Sequence, residues 1–171
     1  MDSQALDLFQ GEPATTHRLG QHRPHCADER ITFFVPGKPT AKGRARARVV
    51  GKFAQLYTPQ ETRSYESLIR AQADLAMAGR PPLQRPVRME MAMCVDIPSS
   101  WSKRRHDQAL QGMVAATKKP DMDNVLKSCL DAMNNIVYDD DNQVVTLVCQ
   151  KFYGLKPGVN ITVSELPLER A

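Results

Sequence analysis

The sequence predicts an α+β domain in which helices cover a small mixed β-sheet. Its 171 residues suffice for one domain with a hydrophobic core. Segments with the alternating hydrophobicity of strands are interspersed with segments of helical periodicity, in the order β, extended arm, α, β, α, α, β, β. Because strands and helices do not repeat as βαβ units, a purely parallel sheet is not expected.

The first 29 residues show neither periodicity and are rich in Gln, His, Pro, Thr and Gly. They hold three of the four histidines, His17, His22 and His25, of which the last is next to Cys26. Irregular spacing in a polar segment is more typical of a solvated tail than of a metal site. We therefore expect a mostly disordered N-terminal extension at 1–29 and a folded domain at 30–171.

The first strand is predicted at Ile31 to Val35, which is β-branched and aromatic and is followed by Pro36-Gly37. The next segment reads TAKGRARARVVGKFAQLY. With a turn at Gly51-Lys52, residues 44–57 form either a hairpin or a long loop. Three arginines occupy alternate positions of this segment, so they would share one face of an extended chain. This arrangement favours contact with phosphates over the alternative, a solvated edge strand. These arginines are Arg44, Arg46 and Arg48.

A helix start is predicted at 58–61, because Thr58 can cap, Pro59 suits the first helical position and Glu61 can return the capping bond. This helix should run to about Ala78 and stop at Gly79.

Apolar and polar residues then alternate from Val87 to Ile97, which predicts a half-buried strand whose methionines fill the core. Ser99 or Ser100 is expected to cap a short helix at 101–111. The basic run at 103–105 in this helix is either a solvated face or a second contact with a phosphate backbone, and the sequence does not separate the two.

Apolar residues at 122–137 have helical spacing, which predicts a third helix. After an acidic triplet, 144–153 has the pattern of a strand. A turn at 154–158 and alternating Val and Ile at 159–163 predict the final strand.

The chain carries a net charge of +4, which is compatible with a polyanionic partner. Basic residues cluster at 38–52, 103–105 and 118–119, whereas acidic residues cluster at 121–123 and 139–141. A basic surface around an acidic pocket fits a phosphate-backbone ligand that is bound through a metal.

The four cysteines form no CxxC pair, and three of them lie in apolar periodic segments. This predicts reduced thiols in a cytoplasmic protein. The sequence has no apolar run as long as a membrane span, and its N-terminus lacks the basic-then-apolar pattern of a secretory signal.

The stretch KKPDMDNVLK sets Asp121 and Asp123 one residue apart at the predicted start of the third helix. One interpretation is structural: one aspartate caps the helix, the other complements its dipole, and Lys127 pairs with Asp131 one turn later. A cap, however, needs only one aspartate, and a second acidic group follows at 139–141. Carboxylates from two segments are what a hard divalent cation such as Mg²⁺ requires, which favours a metal site.

An EF-hand is excluded, because the sixth and twelfth positions of either acidic segment lack the required Gly and Glu. In a metal site, Lys127 could either stabilise negative charge that develops on a phosphate or place the nucleophile. The predicted helix would place Asp141 far from Asp123, so Asp141 must either fold back along the helix or come from a second subunit.

The segment KPDMDNVLKSCLDAMNNIVYDDDNQVV resembles the signature of the RusA family of Holliday-junction resolvases, which are common in bacteria and their prophages. VPGKPTAKGRARAR and YTPQETRSYESLI also resemble the N-terminal part of phage-type members, so the resemblance spans about 31–166. It implies an α+β homodimer that uses Mg²⁺, for which Mn²⁺ can substitute. Such enzymes cut two opposed strands of a four-way DNA junction in recombination and repair.

The resemblance also implies roles for individual residues. Asp121, Asp123 and Asp141 would be metal-binding catalytic carboxylates, Asp140 a neighbouring metal ligand and Lys127 the catalytic lysine. DNA-binding residues are expected in the arm and just before the aspartate pair: Lys42, Arg44, Arg46, Arg48, Lys118 and Lys119.

Two other functions are compatible with parts of the sequence. A junction-binding protein that does not cut could keep the same acidic residues. A phosphatase of the haloacid-dehalogenase kind also has an Asp-x-Asp pair, but there it follows an apolar strand, whereas Lys-Lys-Pro precedes it here.

Overall fold

The computed structural model describes residues 30–43, 46–50, 53–57 and 59–167, with 46–50 and 53–57 described by their backbone. The extension predicted at 1–29 lies outside these residues. The elements follow the predicted order: β1 Arg30–Pro36, β2 Arg46–Val50, β3 Phe53–Tyr57, α1 Gln60–Met77, β4 Val87–Asp96, α2 Lys103–Leu110, α3 Met122–Met133, a 3-10 turn Asp141–Gln143, β5 Val144–Gly154 and β6 Gly158–Glu165.

Four strands form one mixed sheet in the order β1-β6-β4-β5, as the predicted α+β class requires. β6 pairs antiparallel with both β1 and β4, whereas β4 and β5 are parallel. Parallel neighbours need a long crossover, and the chain between β4 and β5 contains α2 and α3. This crossover carries both acidic segments.

The arm after β1 forms a separate two-stranded sheet. β2 and β3 are antiparallel, with Arg46 opposite Tyr57 and Val50 opposite Phe53. For the described residues 46–50 and 53–57, this antiparallel pairing agrees with the hairpin interpretation rather than with the long loop.

The core lies between one face of the sheet and helices α1 and α3. Side chains alternate between buried and exposed along β1, and three methionines of β4 are buried: Met89, Met91 and Met93. Met91 lies opposite Ile161 of β6, which is also buried. Each such fully buried apolar side chain stabilises the fold by about 1.5–3 kcal/mol. The prediction that the methionines fill the core is confirmed.

The predicted end of α1 is confirmed, but its predicted start is not. Ala78 has a left-handed conformation (φ 49°), and its N–H donates to the Asp74 carbonyl at 3.1 Å. At the other end Pro59 is the cap residue and makes no side-chain capping bond, so proline lies one position before the first helical residue. Thr58 lies outside the described residues.

The predicted cap of α2 is wrong. Ser102 rather than Ser99 or Ser100 caps it, and its hydroxyl accepts from the Arg105 N–H at 3.4 Å. α3 is shorter than predicted, because it ends at Met133 and the chain turns through Asn135, whose φ is 62°. This turn sends the following residues back along the helix.

Three cysteines are free thiols: Cys94 and Cys129 are buried and Cys149 is half-buried. The prediction of reduced thiols is confirmed for these three, and Cys26 lies outside the described residues. No helix in the described part of the chain is long and apolar enough to cross a membrane.

Candidate functional site

The start of α3 presents two carboxylates whose oxygens accept no hydrogen bond from a described residue. Asp121 precedes the helix in an extended conformation, and its carbonyl accepts from the Val125 N–H at 3.2 Å. Its side chain makes no capping hydrogen bond, so the capping interpretation fails for this residue. Asp123 lies in the first helical turn, where the helix dipole favours a negative charge. Both are exposed, and neither side chain has a hydrogen bond or ion pair to a described residue.

The next turns of α3 carry a charge network. Lys127 Nζ lies 2.9 Å from Asp131 Oδ1, which confirms the predicted ion pair one turn apart. Lys42, in the segment after β1, donates to Asp131 Oδ2, and its Nζ lies 3.5 Å from Glu66 Oε1 of α1. The Lys42 N–H also donates to the Asn124 carbonyl at 3.0 Å. Lys42 therefore connects three segments of the chain: its own, α1 and α3.

Asp141 comes back to α3 within the same chain. Its Oδ2 lies 3.4 Å from Lys127 Nζ, although 14 residues separate the two. The sequence left two ways for Asp141 to reach α3, from the same chain or from a second subunit. In the structure, residues 134–141 fold back along the helix of their own chain, which the turn at Asn135 makes possible.

Buried Gln143 fixes the acidic loop, and sequence reasoning missed it. Its Oε1 accepts from the N–H groups of Asp139 and Asp140 at 2.9 and 3.1 Å. Its Nε2 donates to the carbonyls of Leu83 and Arg85 at 2.9 and 3.1 Å. The available signal was the capping-box spacing of Asp140 and Gln143.

The three consecutive aspartates have different surroundings. Asp139 Oδ1 accepts from Gln84 Nε2 at 3.1 Å, and Asp140 Oδ1 caps the 3-10 turn by accepting from the Asn142 N–H at 2.9 Å. Of the three, Asp141 makes the contact with Lys127. One oxygen of Asp140 is thus engaged in a structural hydrogen bond. The metal-binding role expected of Asp140 remains a prediction.

The ion pairs shift the protonation of both partners. Partial burial opposes ionisation of Asp131, but hydrogen bonds from Lys127 and Lys42 outweigh it, so the pKa of Asp131 is lowered. The hydrogen bond to Asp131, with a smaller contribution from Asp141, raises the pKa of Lys127. Lys127 is therefore a firmly protonated ammonium beside Asp141 at neutral pH.

The donor chemistry of the site suits a hard cation, but the described side chains do not form a closed metal site. Asp121, Asp123 and Asp141 offer only carboxylate oxygens, the ligands that Mg²⁺ prefers. No three His, Cys, Asp or Glu side chains of the described residues are grouped so that they could hold a metal ion. Lys127 supplies the positive charge beside Asp141 in this arrangement.

The predicted DNA-binding residues differ in how the structure describes them. Arg44 lies outside the described residues, and Arg46 and Arg48 lie in β2, one residue apart. Lys42 is engaged with Asp131, and Lys118 and Lys119 are exposed just before Asp121. DNA contact remains a prediction for all six.

Lys151 of β5 was missed by sequence reasoning. It donates to the Lys118 carbonyl and, at 2.7 Å, to the Pro120 carbonyl. These bonds fix the segment that leads into the aspartate pair. Its position in an alternating strand gave no signal of this contact.

Comparison with known proteins agrees with the motif. The family model described as Endodeoxyribonuclease RusA matches residues 36–164, which is more than half of the chain. The uncharacterized protein YqaN of Bacillus subtilis (strain 168) is 33% identical over 140 residues, covering 80% of this chain and 96% of that protein. The matched range contains the aspartate pair, Lys127, the Asp141 loop, β4, β5 and all of β6 except Glu165, whereas only Pro36 of β1 lies within it. The chain therefore belongs to the RusA family of endodeoxyribonucleases.

Proposed function

We propose that the protein is a divalent-metal-dependent endonuclease that resolves four-way DNA junctions by paired symmetric incisions. The observation that carries the proposal is the pair of exposed carboxylates, Asp121 and Asp123, which no described residue binds. They stand at the start of the helix that also carries Lys127 and lie within the matched family range.

The residues that would hold the ion are Asp121, Asp123 and Asp141, with Asp140 as a neighbouring ligand. Binding to Asp141 requires Lys127 to give up its 3.4 Å contact there, and its 2.9 Å contact with Asp131 can hold it nearby. A divalent ion at this position supplies Lewis-acid neutralisation of charge on the phosphodiester during hydrolysis. Mg²⁺ is the ion that we expect, with Mn²⁺ as a substitute.

The proposed reaction is hydrolysis of one phosphodiester in each of two opposed strands. A water oxygen bonds to phosphorus, the bond from phosphorus to the 3′ oxygen breaks, and that oxygen leaves with a proton. The products are a 5′-phosphate and a 3′-hydroxyl. Lys127 would donate a hydrogen bond to a phosphate oxygen as its negative charge grows, because its ammonium stays protonated at neutral pH.

The DNA backbone would lie on basic residues from both sides of the site. These are the arm residues Lys42, Arg44, Arg46 and Arg48 together with Lys118 and Lys119. Phosphate contacts release counterions, so affinity should fall steeply as salt rises.

Two symmetric incisions require two sites related by a twofold axis, so the proposed enzyme is a homodimer. Among the described strands β5 has one neighbour, β4, and its free edge carries no charged side chain from 144 to 150. Val145 and Leu147 on this strand are 56% and 43% exposed. Edge strands of this kind are normally charged or covered, so we place the second copy there.

By light scattering, Val145→Lys should convert the dimer into a folded monomer, and an unchanged dimer would place the interface elsewhere.

One gel tests the proposed activity. A labelled synthetic four-way junction is incubated with the protein in Mg²⁺ and in EDTA, beside a linear duplex of the same sequence. We expect symmetric cuts in the junction in Mg²⁺ alone and little cutting of the duplex. Binding without cleavage in any divalent ion would instead establish the alternative, a junction-binding protein that does not cut.

The free thiols and the DNA substrate also lead us to place the enzyme in the cytoplasm, with a role in recombination and repair.

A further inference from the structure

We propose that Arg105 and Lys118, held on the ring of Trp101, form a second site for DNA backbone phosphates. We call this group the tryptophan platform. It rests on the proposed function, since its ligand is the backbone of the same DNA. It differs from the carboxylate site in chemistry, because it binds anions without a metal.

Trp101 is a fixed support. It follows β4, is half-buried, and packs edge-on against Tyr153, with 5.1 Å between ring centroids and 67° between planes. Tyr153 is itself buried in β5. The indole is therefore anchored to the sheet rather than left as a mobile surface ring.

Two cations approach this one ring. The guanidinium carbon of Arg105 lies 4.3 Å from the ring centroid, and Lys118 Nζ lies 5.9 Å from it. A cation over an aromatic face at such distances is attracted by the negative face of the ring. The ring thus has two positive charges beside it, which repel each other. An anion bound next to them would offset this repulsion.

The described residues leave the positive charge around this ring without a carboxylate partner. α2 has three basic residues in its first turn and no acidic one, at the helix end where the dipole already favours anions. Among the described residues, no carboxylate forms an ion pair with Arg105, Lys118 or Lys119. A phosphate would offset both the repulsion between the two cations and the unfavourable interaction of the basic residues with the helix dipole.

The tryptophan platform is tied to the carboxylate site. Lys151 holds the carbonyls of Lys118 and Pro120, and Asp121 follows directly. Asp121 is the third residue after Lys118, so their Cα atoms are at most about 10 Å apart. That is the rise of about three nucleotides along one strand. A phosphate on the platform would therefore belong to the strand that is cut, a few nucleotides from the incision.

The structure also separates residues that the sequence left equivalent. Arg105 contacts the Trp101 ring, whereas Arg104, its neighbour in the same helix, is exposed and makes no hydrogen bond, ion pair or ring contact with a described residue. Arg104→Gln is thus a matched control for Arg105→Gln, since both remove one positive charge from the same turn.

The test measures binding of a labelled four-way junction in EDTA, where cleavage does not interfere, between about 50 and 200 mM salt. We expect Arg105→Gln to weaken binding about 5- to 10-fold and to reduce the slope of log affinity against log salt by about one. Arg104→Gln should change affinity less than about 2-fold. Trp101→Leu should resemble Arg105→Gln, and Trp101→Phe, which keeps a ring, should restore much of the loss. Thermal unfolding of each variant identifies any loss that comes from misfolding.

Equal effects of Arg105→Gln and Arg104→Gln, or no effect of either, would overturn the tryptophan platform, as would a wild-type protein that binds no DNA. The outcome is separable from that of the proposed function. Specific loss in Arg105→Gln with a wild-type protein that never cuts would keep the platform and reject the nuclease. Junction cutting with no difference between the two arginine variants would do the reverse.

Discussion

Two sets of carboxylates on and beside α3 differ in how the fold treats them. Asp131 accepts bonds from Lys42 and Lys127, and Asp141 lies 3.4 Å from Lys127. Asp121 and Asp123, on the same helix, have no partner within the described part of the chain. A helix start that served only stability would use the side chain of Asp121 as its cap. We infer from this difference that Asp131 positions the site and that the aspartate pair binds a ligand.

The largest effect is expected for Asp123→Asn, and likewise for Asp121→Asn. Junction cleavage in Mg²⁺ should fall at least about 100-fold, because a charged ligand is lost where electrostatic stabilisation is needed. Junction binding and the free energy of unfolding should change little, since neither side chain supports the fold. Cleavage is read on gels under single-turnover conditions. Full cleavage by either variant in Mg²⁺ would reject the assignment.

Lys127→Ala should give the next largest effect. The cleavage rate should fall about 10- to 100-fold, because the ammonium beside Asp141 is lost, while junction affinity changes little. Lys127→Arg, which keeps the charge, should recover part of the rate. A variant that only binds the junction more weakly and cuts normally at saturation would argue for a DNA-binding role instead.

Asp131→Asn tests the other side of the comparison. It leaves two lysines without their shared carboxylate in a partly buried position, which should lower the free energy of unfolding by about 1–2 kcal/mol. Denaturant unfolding measures this loss. Cleavage at saturating protein should fall less than in Asp123→Asn, because Asp131 acts through Lys127. A stable variant that had lost all cleavage would move Asp131 into the metal-binding set.

The smallest effect is a pH dependence of that stability difference. The pKa of Asp131 is lower in the folded state than its ordinary value of 3.8, so its contribution is fully present above that value. The contribution is lost as pH falls through the folded pKa. The gap in unfolding free energy between wild type and Asp131→Asn should therefore close below about pH 4. A gap that stays constant to the lowest pH would mean that the ion pairs do not set it.

The sequence predicted the parts of this molecule that depend on local order. Alternation along a strand is read directly from neighbouring residues, and β4 and β6 lie where the pattern put them. The Lys127–Asp131 pair followed from helical spacing alone. The end of α3 was wrong because Ile136 and Val137 continue the helical spacing, although the chain has already turned at Asn135.

The parts that could not be predicted depend on distant residues. Lys42 reaches Asp131 across 89 residues of sequence, and no local pattern indicates that contact. The position of Asp141 depends on the turn at Asn135 and on Gln143, whose partners lie 58 and 60 residues away. In the tryptophan platform, Arg105 is a local neighbour of Trp101, but Lys118 and Tyr153 reach the ring only through the fold.

The central claim is that the aspartate pair, which has no hydrogen-bond or ion-pair partner among the described residues, binds a divalent metal ion. Mn²⁺ binding, followed by electron paramagnetic resonance as the ion is titrated into the DNA-free protein, tests it most directly. The account predicts that wild type and Asp131→Asn both bind the ion, and that the double variant Asp121→Asn, Asp123→Asn loses this binding while remaining folded. Equal Mn²⁺ affinity in the wild type and the folded double variant would contradict it.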